Sequence, residues 1–464
     1  MSFKSEVVIG LEIHVELNTK TKLFCSCPTQ GKEEPNTRTC EICLGHPGSK
    51  PRVNKKAILF SVKLAKALNC KLANQIIFSR KNYFYPDMSK NYQITQYETP
   101  LGENGFILLS DKKVGITRVH IEEDPAALVH PGGIGKAKQV FVDYNRSGNP
   151  LCEVVTEPEI NNPKEARDFM KSLITILQYL NIFDPDINLI KADANVSIKE
   201  SGYKRAEIKN ISGFKEIQRA LEYEILRQKQ AVQDGVLLKQ ETRAWDAKKG
   251  VTQLLRTKET EDDYGYIFDP DLVPIDVDLF KVKVPELPVD KQKRYIKEYK
   301  ISKEDAFVLT NEFNLTNIFE KAIKKVDPIL ASKWIRRELV RVLNYNKIDV
   351  TEMKLDIEEF ISILEFLQKK KITDKVAQKI LEELAVKKIS VKKYIKENKL
   401  EAVSDSGLIE KLCKEAINEN SKAVEDYKSG NENSLNFLLG QVMRKSKGKA
   451  NPKEIKEKLK KLLD

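Results

Sequence analysis

Apolar and polar residues alternate near the start of the chain. From position 9 to position 17, isoleucine, leucine and valine occupy every odd position, while Glu12, His14 and Glu16 stand between them. A period of two residues is typical of a β-strand that buries one face. The pattern therefore predicts a strand whose other face presents a carboxylate, an imidazole and a second carboxylate in a row.

Glycine and proline divide the chain into a turn-rich part and a turn-poor part. Sixteen of the 18 prolines and 16 of the 20 glycines precede residue 290. This distribution favours strands and loops in the first part, with helices predicted around Lys55–Leu68 and Pro163–Leu180. Pro285 and Pro288 disfavour a continuing helix, and we place the boundary of the first region, 1–290, next to them.

Apolar residues behind this boundary recur at helical spacing. The run from Ile357 to Leu367 places them three or four positions apart, and Ser302 and Thr373 are typical helix starts. Polar residues around Gly407 separate a last small unit. We therefore predict an α+β protein with an all-helical region at 291–405 and a small helical tail at 406–464.

Composition excludes several classes of protein. The 464 residues are 41% hydrophobic and 32% charged, and no uninterrupted apolar run approaches the ~18 residues of a membrane span. The first residues lack the apolar core of a secretory signal. Seven cysteines, an odd number clustered towards the start, do not resemble an extracellular disulfide framework. We expect a cytoplasmic protein with no membrane partner.

The net charge of +12 is concentrated at the end of the chain. Residues 441–464 contain nine basic and three acidic residues, a net of +6. Such a segment is either a solvated helical tail or a surface that contacts a phosphate backbone, and composition alone leaves both open.

Four cysteines form a separate motif. Cys25, Cys27, Cys40 and Cys43 give a C-x-C pair, twelve intervening residues and a C-x-x-C pair. Two thiolate pairs on a turn-rich loop can complete a tetrahedral zinc site, which would be closed and structural. The alternatives are a chance cluster of reduced thiols and a redox pair.

Acidic residues from separate segments are candidates for a magnesium site. Besides Glu12 and His14, the segment HIEED offers Glu122 and Glu123, and Glu153 stands in an otherwise apolar run, where an unpaired carboxylate is costly. Alternation does not decide which of the two neighbouring glutamates faces inward. The alternative for His14 is a histidine without a role in metal binding, either on the surface or hydrogen-bonded in the core.

A basic and aromatic segment, RKNYFYPDMSKNYQITQYE at residues 80–98, contains Arg80, Lys81, Lys90 and several tyrosines and can bind phosphates and stack on a base or ribose. A tyrosine-rich strand pair with exposed lysines explains the same residues equally well.

Several of these motifs occur together in one known family. VIGLEIHVEL, the paired cysteines, RKNYFYPD, HIEED, VDYNRSGNPLCEV, DANVS, AEIKN and the ending FLLGQVMRKSKGKANP follow one another along the chain. In this order they resemble the GatB family, the B subunits of the tRNA-dependent amidotransferase GatCAB.

The resemblance implies an antiparallel-sheet cradle, a helical domain and a small YqeY-like tail domain. It also implies an ATP-dependent ligase that converts mischarged Asp-tRNA(Asn) or Glu-tRNA(Gln) to Asn-tRNA or Gln-tRNA. The implied cofactors are ATP, Mg²⁺ and structural Zn²⁺. The implied partners are the tRNA, the glutaminase GatA, which supplies ammonia, and the small protein GatC.

Functional residues carry over from the family onto matching positions. The implied magnesium ligands are His14, Glu123 and Glu153, with Glu12 beside them as a fourth catalytic residue, and the match selects Glu123 over Glu122. Positions near the ATP pocket are Lys81, Asn82, Asp193 and Asn195, and the implied tRNA contacts in the tail are Arg444, Lys445, Lys447 and Lys449.

The sequence departs from the family in one segment, where many members have D-Y-R-Y-F-P-E-P-D and this chain has Gly265 in place of the arginine. Two other functions stay open at this point. One is a non-catalytic, zinc-containing scaffold that binds tRNA, and the other is a free-standing amide ligase that acts on small molecules.

Overall fold

The computed structural model describes residues 6–31, 34–109, 112–131, 138–257, 265–348, 350, 353–401, 406–446 and 448–463. The chain forms two compact units, Met1–Leu287 and Pro288–Asp464. The boundary lies three residues before the one predicted at 290. No helix in the described ranges combines the length and apolar composition that crossing a bilayer needs.

The first unit contains sixteen strands and three α-helices among its described residues. The strands are β1 (Val7–Glu16), β2 (Lys71–Leu72), β3 (Gln75–Ile76), β4 (Ser79–Asn82), β5 (Tyr92–Thr95), β6 (Gly102–Leu108), β7 (Lys113–Glu123), β8 (Ala127–Val129), β9 (Phe141–Asp143), β10 (Pro150–Thr156), β11 (Ile190–Ile198), β12 (Ala206–Ser212), β13 (Glu241–Asp246), β14 (Val251–Thr257), β15 (Gly265–Phe268) and β16 (Ile275–Asp276). The helices are α1 (Lys55–Ala67), α2 (Pro163–Leu180) and α3 (Phe214–Gln233).

Nine of these strands form one sheet, in the order β14-β13-β12-β11-β1-β10-β7-β6-β2. Its neighbouring strands are antiparallel except for the parallel pair β12–β13. A smaller sheet, β15-β4-β5, carries the segment RKNYFYPD into the same unit. The α+β prediction is confirmed, and the predicted antiparallel sheet holds apart from this one pair.

One face of the large sheet is buried against helices. The odd-numbered residues of β1, from Ile9 to Val15, are fully buried and share a hydrophobic core with apolar residues of α1, α2 and α3. The side chains of Glu12 and His14 lie on the opposite face, as the period of two predicted. The alternation in β1 therefore directs its ionisable side chains away from the helices.

The ends of α2 illustrate how local sequence determines this helix. Asn162 caps its first turn by accepting a hydrogen bond from the backbone N–H of Glu165, and Pro163 occupies the first helical position. Asn181 ends it in the left-handed region, at φ 53°. The predicted bounds Pro163–Leu180 are confirmed.

The second unit is helical. Its helices are α4 (Pro288–Tyr299), α5 (Lys303–Thr310), α6 (Phe313–Ala322), α7 (Pro328–Lys333), a π-helical turn (Trp334–Leu339), α8 (Val340–Tyr345), α9 (Ile357–Gln368), α10 (Asp374–Val386), α11 (Val391–Glu397), α12 (Ser406–Glu419), α13 (Ser421–Lys428), α14 (Asn433–Lys445) and α15 (Pro452–Leu463). Ser302 and Thr373 are N-caps, as predicted.

The described residues of this unit form two separate hydrophobic cores. One is formed by residues between Tyr295 and Ile395, and the other by residues between Ile409 and Leu463. The cores lie on either side of the predicted boundary at 405/406. The division into three domains stays a prediction, because the chain separates into only two compact units.

Candidate active site and cysteine cluster

Polar side chains from neighbouring strands meet on the open face of the large sheet. In the strand register, His14 of β1 lies opposite Glu153 of β10 and Lys191 of β11, and Glu12 lies opposite Asp193 of β11. They line a cleft of about 360 Å³. Its other ionisable lining residues are Glu16, Lys81, Asp87, Glu122, Asp124, Arg146 and Lys209.

His14 lies among three carboxylates. Its Nε2 atom is 3.3 Å from Oε2 of Glu153, 3.4 Å from Oε1 of Glu122 and 3.8 Å from Oε1 of Glu12. Glu122 and Glu153 are almost completely buried. Three strands thus bring together an imidazole and three carboxylates from three separate segments of the sequence.

A second imidazole, which the sequence did not single out, completes this cluster. His120 of β7 is buried, and its Nε2 atom is 3.3 Å from Oε2 of Glu153 and 3.6 Å from Oε2 of Glu122. The available signal was that His120 and Glu122 are two residues apart in one predicted strand and so share a face. We call His14, His120, Glu12, Glu122 and Glu153 the acidic cluster.

Glu123 is not part of the acidic cluster, which corrects the selection of Glu123 over Glu122. Its Oε1 atom is 2.5 Å from Nζ of Lys90 and accepts a hydrogen bond of 2.9 Å from the backbone N–H of Ile94. Successive side chains of a strand point to opposite faces, so only one of these two neighbours can face His14. That neighbour is Glu122.

Mutual charge within the acidic cluster shifts its pKa values. Burial alone would lower the pKa of His14, but the hydrogen bond to Glu153 and the charges of Glu122 and Glu153 raise it to about 10. The charge of Glu153 raises the pKa of Glu12 to about 7, with burial adding to the effect.

The other two shifts have the same origin. Burial opposes the charged form of His120, but Glu153 and Glu122 raise its pKa to about 9. Burial would raise the pKa of Glu153, yet the charges of His120 and His14 hold it well below its usual value. Without a metal, the cluster therefore keeps protons on its imidazoles and negative charge on Glu153.

The donor atoms of the acidic cluster fit a divalent cation. Glu12, His14 and Glu153 each offer a ligand atom, and these atoms lie within 4.8 Å of one another, as do those of His120, Glu122 and Glu153. Oε1 of Glu153 is buried and has no hydrogen-bond partner among the described residues, and Nη2 of Arg118 lies 3.7 Å from it. Buried carboxylates of this kind require a cation or a proton nearby.

The positions implied for the ATP pocket behave differently from one another. Lys81 of β4 and Asp193 of β11 line the cleft. Asn82 does not line it and donates from Nδ2 to the backbone oxygen of Gly265 at 2.7 Å. Asn195 is also outside the lining, and its Oδ1 atom is buried without a hydrogen-bond partner in the described part of the chain.

Comparison of the sequence with known proteins identifies related proteins. Family profiles match residues 7–282, as the GatB/GatE catalytic domain, and residues 317–463, as the GatB domain. The relative from Methanospirillum hungatei JF-1 is 44% identical, over 99% of this chain and 98% of its own length. The relative from Carboxydothermus hydrogenoformans is 42% identical, over 98% of each chain. Both are named as the B subunit of the aspartyl/glutamyl-tRNA(Asn/Gln) amidotransferase.

The chain belongs to the GatB family. The match to the GatB/GatE catalytic domain contains the whole acidic cluster and the cleft around it. The match to the GatB domain begins within α6 and contains the basic tail.

The four cysteines of the GatB catalytic domain form a compact cluster. Their Sγ atoms lie within 4.8 Å of one another, and those of Cys40 and Cys43 are 3.9 Å apart. Sulfur atoms about 2.3 Å from a tetrahedral zinc ion are separated by roughly 3.8 Å. The cluster therefore fits zinc, whose four ligands would be Cys25, Cys27, Cys40 and Cys43.

A buried lysine lies beside these thiols. Nζ of Lys22, which is fully buried, is 3.7 Å from Sγ of Cys43 and donates to the backbone oxygens of Arg38, at 2.8 Å, and Tyr144, at 3.3 Å. A hydrogen bond from Cys25 lowers the pKa of Cys43 to about 5, with Lys22 contributing, while that bond and burial raise the pKa of Cys25. Hydrogen bonding and positive charge thus favour a thiolate at Cys43.

The four tail residues implied as tRNA contacts do not share one environment. Arg444 is exposed, with Nη2 2.6 Å from Oε1 of Gln441. Lys445 forms ion pairs with Glu419, at 2.6 Å, and Glu415, at 3.4 Å. Lys449 is half-buried, and Lys447 lies outside the described residues.

Proposed function

We propose that this chain is the catalytic B subunit of a tRNA-dependent amidotransferase. It converts Asp-tRNA(Asn), Glu-tRNA(Gln) or both to the amide form, with ATP as the source of energy. The observation that carries this proposal is the acidic cluster in the cleft of the GatB/GatE catalytic domain. The relatives' shared name supplies the reaction class.

The reaction needs an activated carboxyl group. A carboxylate is a poor electrophile, so its oxygen first attacks the terminal phosphorus of ATP, and ADP leaves. Ammonia then attacks the acyl carbon, phosphate leaves, and a proton is lost to give the amide. Both reactants of the first step are anionic, and positioned positive charge must offset their repulsion.

We propose that Glu12, His14, Glu122 and Glu153 hold Mg²⁺ in this cleft, with Glu122 in the place first assigned to Glu123. When bound, the ion supplies positive charge to the ATP phosphates. His120 faces the carboxylates of Glu122 and Glu153 and orients them. Lys81 of the same cleft contributes a further positive charge towards the phosphates.

The remaining partners follow from the same family assignment. We propose that ammonia comes from the glutaminase GatA, that the small protein GatC completes a heterotrimer, and that this assembly works in the cytoplasm with aminoacylated tRNA. The cysteine cluster holds structural Zn²⁺ in this proposal, because its four thiols leave no open position. Exposed lysine and arginine side chains of the tail contact the tRNA backbone.

The decisive experiment replaces Glu122 by glutamine in the assembled heterotrimer. We expect ATP-dependent amidation of mischarged tRNA to fall by roughly 100-fold or more, because a charged ligand beside the reacting phosphate is lost. Glutamine hydrolysis continues, since it belongs to the glutaminase. Amidation and ADP release are measured together.

Glu103→Gln is the matched control, because Glu103 is an exposed residue of β6 in the same sheet. Full amidation by the Glu122→Gln complex would contradict the site. A wild-type complex that binds tRNA but neither binds Mg²⁺–ATP nor releases ADP would instead identify a non-catalytic scaffold.

A further inference from the structure

The basic residues of the cleft differ in whether they already have partners. Nε of Arg146 is 3.1 Å from Asp124, and Nζ of Lys209 is 3.0 Å from Asp193. Lys81 also has an interaction partner in the protein. The side chain of Lys191, the fourth basic residue of the lining, forms no hydrogen bond or ion pair with any residue that the structure describes.

The carboxylates around Lys191 are occupied by other donors. Glu16 accepts hydrogen bonds from Nδ2 of Asn149, at 2.7 Å, and from the backbone N–H of Leu189, at 2.9 Å. Asp124 and Asp193 are held by Arg146 and Lys209. Lys191 therefore lies among acidic groups without being paired to one.

Its position in the sheet is nevertheless well defined. Lys191 lies opposite His14 in the pairing of β1 with β11, and His14 lies opposite Glu153 in the pairing of β1 with β10. The three residues form one row across three strands, with His14 in the middle. Lys191 therefore lies next to His14 in the sheet, on the side away from Glu153, and its side chain lines the same cleft.

An unpaired ammonium group in a half-buried position is unfavourable for the folded protein. The side chain of Lys191 is half-buried. A group kept in this condition next to a reaction site is a candidate for binding an anion that arrives with the substrate.

We propose that Lys191 binds an oxygen of the phosphoryl group that ATP transfers to the carboxylate. This proposal rests on the proposed kinase chemistry of the same cleft. Two anions enter that cleft, the ATP phosphates and the amino-acid carboxylate, and lysine binds phosphate as a compact point charge. The lining contains more carboxylates than ammonium and guanidinium groups. ATP enters with a divalent cation, which offsets the excess negative charge of the lining. The amino-acid carboxylate enters without a cation and is repelled by that charge.

The test compares Lys191→Met and Lys191→Arg with wild type in the assembled complex, using Mg²⁺–ATP and mischarged tRNA. For Lys191→Met we expect kcat/KM for ATP to fall about 10- to 100-fold, the range for losing one charged hydrogen bond. We expect the KM for tRNA to be unchanged and Lys191→Arg to recover part of the loss. Lys204→Met, at an exposed loop position, is the control for removing a lysine.

Thermal stability separates binding from a structural role. Lys191→Met removes an unpaired charge, so we expect an unchanged or higher Tm, whereas Lys209→Met breaks ion pairs with Asp193 and Glu207 and lowers the Tm. An unchanged kcat/KM for ATP, a change confined to the KM for tRNA, or a lower Tm for Lys191→Met would overturn the proposal. Absence of ATP-dependent amidation in the wild-type complex would overturn the proposed function itself.

Discussion

Glu122 and Glu153 are shared between two imidazoles. The Oε1 atom of Glu122 faces His14 and its Oε2 atom faces His120, while Oε2 of Glu153 lies 3.3 Å from both imidazoles. In the absence of a metal, protons on the imidazoles stabilise the two carboxylates. A cation that uses these atoms must displace protons, so metal binding and protonation compete.

We therefore predict that the apparent affinity of the chain for Mn²⁺, used as a probe for Mg²⁺, rises with pH between 6 and 8. The pKa values of about 10 and 9 mean that both imidazoles are protonated across this range without metal. Each imidazole that becomes a ligand releases one proton, which gives roughly a tenfold gain in affinity per pH unit, and Glu12, whose pKa is about 7, adds a further gain below pH 7. Mn²⁺ titrations followed by electron paramagnetic resonance measure the slope.

His46→Gln, at an exposed loop position, should leave this slope unchanged. His120→Gln should lower the slope if His120 binds the ion directly and lower only the affinity if it orients the carboxylates. An affinity that is flat between pH 6 and 8 in the wild-type chain would exclude coordination by either imidazole.

The sequence identified part of the site at the level of single residues. Glu12 and His14 could be placed on one face because β1 alternates cleanly, and Glu153 could be expected to need a cationic partner because its neighbours are apolar. Glu122 could not be separated from Glu123, because residues 119–123 of β7 are all buried and polarity no longer marks a face. His120 was missed because only the pairing of β7 with β10 brings it to Glu153.

At the scale of elements, the segment between Tyr144 and β10 connects the cysteine cluster with the cleft. Lys22 contacts Cys43 and the backbone oxygen of Tyr144, and the segment after Tyr144 leads directly into β10, which carries Glu153. The backbone of Gly148 in this segment accepts from the N–H of Leu23 and donates to the oxygen of Asp124. A change in the loop should therefore reach the cleft.

We predict that Lys22→Met accelerates zinc release. Lys22 has no carboxylate partner among the described residues, so the negative charge of the thiolates is what balances its buried ammonium group. Release of Zn²⁺ to a coloured chelator measures the rate, and we expect an increase of about tenfold or more, by analogy with groups that support metal ligands.

Lys20→Met, two residues away and exposed, is the matched control. Equal release rates for Lys22→Met and wild type would show that Lys22 does not stabilise the thiolates. Zinc content, measured before the release experiment, distinguishes faster loss from a site that was never filled.

Helix ends were the most predictable elements. Asn162, Ser302 and Thr373 each accept a backbone hydrogen bond at a predicted start, because capping depends on a few adjacent residues. The parallel pair β12–β13 was not predicted, since it joins strands separated by the whole of α3. Pairing over such distances depends on packing that no local pattern reports.

At the scale of the whole molecule, half of the net charge lies in the last 24 residues, which also belong to a hydrophobic core. Val442, Ile455, Leu459 and Leu463 are buried there. Deleting residues 441–464 would therefore disrupt this core as well as remove charge. Substitution of exposed lysine and arginine residues removes charge without disturbing this core.

We predict that replacing Arg444, Lys456 and Lys460 together by glutamine weakens tRNA binding by the full complex. All three are exposed. The slope of log affinity against log salt concentration should fall by roughly 0.7 to 0.9 for each phosphate that the variant no longer neutralises. Binding is measured at several salt concentrations with labelled tRNA.

The control is the triple replacement of Lys388, Lys392 and Lys396, which are also exposed and lie in the other helical core region. An unchanged salt dependence in the tail variant would mean that these three basic side chains do not contact the nucleic acid. Equal losses in both variants would indicate non-specific attraction to a positively charged surface.

The central position of the acidic cluster has one more consequence. Its carboxylates stand in the middle of nine strands and not on loops, so their spacing is inherited from the backbone ladder itself. A single inserted or deleted residue within β1, β7 or β10 would turn the acids beyond it towards the helices and bring apolar neighbours such as Ile13, Ile121 or Val154 into the cleft. Such length changes are therefore more damaging to the reaction than most point substitutions.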